Sequence, residues 1–84
     1  MTRKEKLYER AKRARANFSF NDACALAESV GFEFERQAGS HRIYSHPKAG
    51  MILNLQDVGG KVKPYQLRQL LDAIDDFGLL EGEP

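Results

Sequence analysis

Cysteine occurs once among the 84 residues, as Cys24, so the chain can close no internal disulfide and is no disulfide-stapled secreted scaffold. Apolar runs are short, and none approaches the roughly 20 residues a membrane-spanning helix needs. The basic N-terminus has no apolar stretch behind it, so no signal peptide is expected. Histidine is scarce: His41 and His46 are the two, and neither has zinc-type spacing with Cys24 or an acidic cluster around it. No Walker-type phosphate loop is present, and Gly59-Gly60 alone reads as a flexible loop. These absences leave a soluble chain expected in the reducing cytoplasm, with no membrane partner, no metal and no cofactor.

What is present is ordinary for one small folded domain. Hydrophobic residues make up 42% and charged residues 30%, which argues against wholesale disorder. A chain this short buries only about 60–65% of the surface its unfolded form exposes, so the core must be economical. The net charge of +1 hides a polarised distribution. Residues 1–16 carry seven basic groups against Glu5 and Glu9, whereas residues 72–84 carry five acidic groups and no basic one. Such asymmetry points to a polyanion or a charged protein partner, beside the plainer reading of a solvated helix and an acidic tail.

Periodicity lays out the elements. Thr2 and Glu5 stand as the ends of a capping box for a helix over 2–16, whose thin stripe of Leu7, Ala11 and Ala14 requires docking on the body or a partner. Ser19 and Asp22 start a second helix over 20–30, and Gly31 stands where a left-handed residue ends it. The period then changes from 3.6 to 2. Phe32 to Glu35 alternate as a half-buried strand, Gly39-Ser40 turns the chain, and His41 to His46 return. Pro47 to Gly50 turn it again, and Met51 to Gln56 make a third strand. Asp57 to Lys63 reads as a loop. Pro64 is placed as the first residue of a last helix, with Leu67, Leu70, Leu71, Ile74 and Phe77 on one face and Gly78 as its stop. The expected class is α+β: a three-stranded antiparallel meander packed on two helices, with an extra N-terminal helix. The expected core is Phe20, Leu26, Val30, Phe34, Ile43, Leu53, Leu55, Leu67, Leu71 and Ile74.

Few residues suggest chemistry. Cys24 lies among apolar neighbours, where a buried inert thiol is usual. Asp72, Asp75 and Asp76 read as a helix face. His41 follows the Gly39-Ser40 turn at a strand's first residue, held by backbone yet open to solvent. Lys61 and Lys63 precede a helix N-terminus, whose free N–H groups favour anions. Taken alone, such a histidine is usually a plain surface residue, and a solubilising loop accounts for the two lysines as well as an anion site does.

Taken together they resemble the HicA toxins of toxin–antitoxin pairs. The likeness is carried by the helix ending in Gly31-Phe32, the run Gly39-Ser40-His41-Arg42-Ile43-Tyr44-Ser45-His46-Pro47, the apolar strand after it, and the helix opening Lys63-Pro64-Tyr65-Gln66-Leu67-Arg68-Gln69-Leu70. It divides the chain into a basic extension at 1–17, a HicA-like domain at 18–80 and an acidic tail at 81–84. It implies a fold like the double-stranded-RNA-binding domain, ribosome-independent cleavage of mRNA, and a HicB-like antitoxin covering the active surface. The family's catalytic histidine falls on His41. Asn54-Leu55-Gln56 stands where many relatives carry a Pro-x-His element, so a second histidine is missing there.

Metal-free RNA cleavage needs a base for the 2′-OH, cations for the growing phosphorane charge, and an acid for the leaving 5′-oxygen. An imidazole, with an ordinary pKa of ~6.5, suits either proton role. His41 is expected as the base, with Ser40, Arg42, Lys61 and Lys63 as RNA-binding residues. His46, at the far end of the same strand, is ~15 Å away by strand rise and so a poor acid, which leaves water for that role. A non-catalytic RNA-binding module and a protein-interaction domain are the other readings these residues allow.

Overall fold

The elements follow one another as α1 (Arg3–Ala14), α2 (Phe20–Ser29), β1 (Glu33–Ala38), β2 (His41–His46), β3 (Met51–Val58), β4 (Lys61–Val62) and α3 (Pro64–Asp76), with a 3-10 turn at Leu79–Glu81. The computed structural model describes residues 2–81, so the acidic tail expected at 81–84 lies almost wholly outside the described residues. No helix among the described residues is long and apolar enough to cross a membrane.

Helix boundaries have local causes. The Thr2 hydroxyl accepts from the Glu5 N–H, and the Glu5 carboxylate accepts from the Thr2 N–H, completing the capping box of α1. That backbone hydrogen bond holds the Glu5 carboxyl below its ordinary pKa. The Ser19 hydroxyl accepts from the Asp22 N–H to start α2, and Gly31, at φ 103, turns the chain out of it. Pro64 opens α3 behind Lys63.

The strands form one antiparallel sheet in the order β1-β2-β3-β4. Ala38 pairs with His41 across Gly39-Ser40, a two-residue hairpin turn. The expected loop at 57–63 is a second hairpin. Val58 pairs with Lys61 across Gly59 and Gly60, whose φ values of 60 and 87 fit a type I′ turn. The sheet thus has four strands, not three, and β3 runs two residues beyond the expected Gln56. A two-residue strand is too short for alternation to reveal. Its free edge is closed by the chain between α1 and α2: the Val62 N–H donates to the Phe18 carbonyl at 3.1 Å, and the Phe20 N–H to the Gly60 carbonyl at 2.9 Å.

α2 and α3 lie against β3, and α1 against both helices. Leu7, Tyr8 and Ala11 of α1 join Phe20, Leu26, Val30, Leu53, Leu55, Leu67 and Ile74 in one core. The thin stripe of α1 therefore docks on the body, and the Tyr8 hydroxyl donates to the Asp75 carboxylate of α3. Three expected core residues are not in it. Phe34 is 51% exposed because β1 overhangs the helix layer, and the strand is exposed at every position instead of alternating. Ile43 and Leu71 are only partly buried. Tyr44, fully buried, fills the place expected for Ile43. Its ring packs inward while its hydroxyl reaches the Glu28 carboxylate at 2.6 Å. Desolvation first, and that hydrogen bond second, push the Tyr44 phenol above its ordinary range. Phe77 is exposed as well, because α3 stops at Asp76.

Candidate active site

Strand parity sorts β2 into two faces with different surroundings. Leu53 and Leu55 are fully buried, so Ile52, Asn54 and Gln56 face away from the helices. Opposite them on β2 stand Ser45, Ile43 and His41, which share that outer face. On β4, buried Val62 turns Lys61 outward beside Val58, and Lys63 follows by the same alternation. His41, Asn54, Gln56, Lys61 and Lys63 therefore lie on one face toward one end of the sheet. With strands about 4.8 Å apart, β2 and β4 are separated by roughly 10 Å there.

His41 is half-buried, and its Nδ1 lies 2.8 Å from Asn54 Oδ1. Gln56 is the direct partner of His41, so Asn54 is its diagonal neighbour on the same face. The Ser40 hydroxyl accepts from Gln56 Nε2 at 3.3 Å, and the Ser40 carbonyl from the Asp57 N–H at 2.9 Å. The turn that presents His41 is thus tied to β3. Behind it, buried Gln66 accepts the Gln56 N–H at 2.7 Å, fastening the first turn of α3 to the same strand.

The cations divide. Lys61 Nζ donates to Asn17 Oδ1 at 2.6 Å and lines a shallow cleft of about 420 Å³ with Arg10, Arg13, Ser19 and Asp22. Arg10 is paired with Asp22 in that cleft. Lys63 is the N-cap of α3 and makes no side-chain capping hydrogen bond. Arg42 lies on the opposite face from His41. Its guanidinium sits 5.2 Å over the Phe34 ring, and the Cys24 sulfur beside it raises its already high pKa. Cys24 itself is buried and free.

His46, on the same face as Arg42, is 94% inaccessible, with an exposure of 6%. Its Nδ1 accepts the N–H groups of Lys48 and Ala49 at 3.1 and 3.2 Å, so Nε2 carries the hydrogen and donates to the Val30 carbonyl at 2.9 Å. Phe32 packs edge-on against the ring at 4.9 Å. Both nitrogens are committed to holding the end of α2 against the β2–β3 turn. Among the described residues, no group of three or more His, Cys, Asp or Glu side chains is placed to hold a metal ion.

Sequence reasoning named His41 but gave Asn54 no role. The available signal was the polar alternation of Asn54 and Gln56 between buried leucines, combined with a meander whose two short turns fix which residues face His41.

A family model described as the HicA toxin of bacterial toxin–antitoxin systems matches residues 20–76, leaving α1 outside the match. No curated protein and no solved structure matches the chain.

Proposed function

The chain belongs to the HicA toxin family, the toxin half of bacterial toxin–antitoxin pairs, and from that premise we propose that it is an endoribonuclease cutting mRNA without the ribosome, with His41 as its catalytic residue. The observation that carries this reading is the half-buried imidazole of His41, held at Nδ1 by Asn54 on the open face toward which Lys63 alternates, with Lys61 at the β4 edge bonded to Asn17. RNA lies across the outer face with a phosphate over the β2–β4 end. His41 takes the proton of a 2′-OH, whose oxygen attacks the adjacent phosphorus. Lys63 and the hydroxyl of Ser40 hold the phosphate and offset the charge that grows on its oxygens, and Lys61 joins them by exchanging its bond to Asn17 for the RNA. The bond to the 5′-oxygen breaks, and water supplies its proton. The products are a 2′,3′-cyclic phosphate and a 5′-hydroxyl. Arg42 reaches RNA only from the β1–β2 edge, since it faces the helix layer, and its part is to bind backbone there.

The family implies a cognate antitoxin. We assign it to the same outer face, where Ile52 is 66% exposed and Ile43 half-buried beside the histidine. An antitoxin seated there covers His41.

The test is single-turnover cleavage of a labelled RNA by the wild-type chain and by His41→Ala, with the product ends identified. Cyclic phosphate ends from the wild type alone support the assignment. Equal RNA binding with no cleavage by either protein makes the domain a binder.

A further inference from the structure

We infer that Asn54 is a positioning residue that fixes His41 as a base, by holding its neutral imidazole in the Nδ1–H tautomer. This rests on the catalytic reading of His41 and adds a residue to it. The reasoning starts from the 2.8 Å contact between His41 Nδ1 and Asn54 Oδ1. An amide oxygen has only lone pairs to offer, so the hydrogen between the two atoms belongs to the imidazole. A neutral ring has one N–H, which leaves Nε2 with its lone pair. A lone pair at Nε2 takes a proton from a 2′-OH, and it can give none until it has taken one. The contact therefore decides which of the two proton roles His41 plays first.

The rest of the structure argues against a merely structural amide. Asn54 is exposed, and among the described residues the one hydrogen bond its side chain makes is to His41. Its backbone is already set by pairing with Ile43. The other histidine of the strand shows the contrast: backbone N–H groups occupy His46 Nδ1, which forces its hydrogen to Nε2. The two histidines of β2 thus hold opposite tautomers, each chosen by the group that meets Nδ1. Without Asn54, the His41 ring reverts to the Nε2–H form that free histidine favours. It then presents a donor to the 2′-OH where a lone pair is needed, and the ring is free to turn.

Nitrogen-15 correlation spectra of the imidazoles, recorded above the titration range, test this in the wild type, Asn54→Asp and Asn54→Leu. The aspartate keeps an acceptor in place; the leucine removes it. The expected result is protonated Nδ1 and bare Nε2 at His41 in the first two proteins, and Nε2–H in the leucine variant. Single-turnover cleavage should follow the spectra. Asn54→Leu lowers kcat by about 10- to 100-fold, as when a group orienting a histidine is removed, with KM and melting temperature little changed. Asn54→Asp recovers most of the rate. An Nε2–H wild-type ring, or a leucine variant whose tautomer and kcat match the wild type, overturns the inference. The spectra need no activity. An Nδ1–H ring lost only in Asn54→Leu, in proteins that cleave nothing, supports the positioning contact and overturns the ribonuclease reading instead.

Discussion

His41 and His46 open and close one six-residue strand, and the fold treats them oppositely. His46 turns inward, where three backbone groups from two elements use up its ring nitrogens. His41 turns outward and, among the described residues, meets a single side chain, which leaves Nε2 without a partner there. The strand's length places them on opposite faces, since positions five apart differ in parity. Residue type says little about role here. What separates the clamp from the reactive group is whether hydrogen-bonding capacity has been used up by the backbone.

The most damaging way to break this contrast is to remove the clamp. His46→Ala strands the buried Val30 carbonyl, at about 1–3 kcal/mol, leaves the part-buried N–H groups of Lys48 and Ala49 to solvent, and removes the ring that packs on Phe32. A loss of about 3 kcal/mol or more is expected in urea denaturation, with any activity falling in step with the folded fraction. Gly31→Ala should push the same way, because a Cβ there would stand 2.8 Å from His46 Nε2 on a backbone at φ +103. A His46→Ala protein that melts with the wild type would show that the clamp holds nothing.

His41→Ala attacks the other end of the strand and should give the reverse pattern. Its melting temperature should match the wild type, since the side chain supports no backbone group. RNA cleavage and growth arrest on expression should fall by at least ~10²-fold, the low end for losing a general base. Full toxicity in the alanine variant removes the catalytic assignment.

A smaller effect sharpens the role of the outer face. Exchanging Lys61 and Lys63 for glutamine removes up to two phosphate contacts. The log–log salt dependence of single-stranded RNA binding should then flatten by ~1.4 units. An unchanged slope would place the RNA away from the β4 end.

The smallest effect concerns the inward side alone. Hydrogen bonding to Asp75, helped by burial, raises the Tyr8 phenol from its ordinary 10.0 to about 12. The folded state therefore holds that proton more tightly than the unfolded chain. This contribution is complete below pH 10 and is lost as pH rises toward 12. In Tyr8→Phe, the alkaline decline in denaturant midpoint across that window should be shallower. An identical decline would mean that α1 docks without help from this bond.

Much of the layout was legible in the sequence, for reasons that can be named. Capping chemistry at Thr2 and Ser19, the stop at Gly31 and the start at Pro64 are local rules, and the helices obey them within two residues. Parity within β2 and β3 was legible too, because alternation is fixed by backbone geometry. The inward face of β3 was read correctly from Leu53 and Leu55, whereas the inward face of β2 was not. Ile43 looks more apolar than Tyr44, yet the tyrosine fills the core because its length lets the hydroxyl leave it at Glu28. Phe34 alternates correctly and is still exposed, since periodicity does not report how far the helix layer extends.

The site divides along the same line. His41 was legible as a solvent-facing histidine at a turn, and as the residue the HicA resemblance marks. Lys61 and Lys63 were legible as charge before a helix. By itself, then, the sequence determined the helices, the hairpin turn before His41 and the alternation along β2 and β3, because these follow from interactions among residues close in the chain. Only the tertiary structure decided that β4 joins the sheet, that His46 is consumed as a clamp, and that Asn54 meets His41 from 13 positions away. Those depend on the register of β3 against β2, and register is set by which face the helices bury.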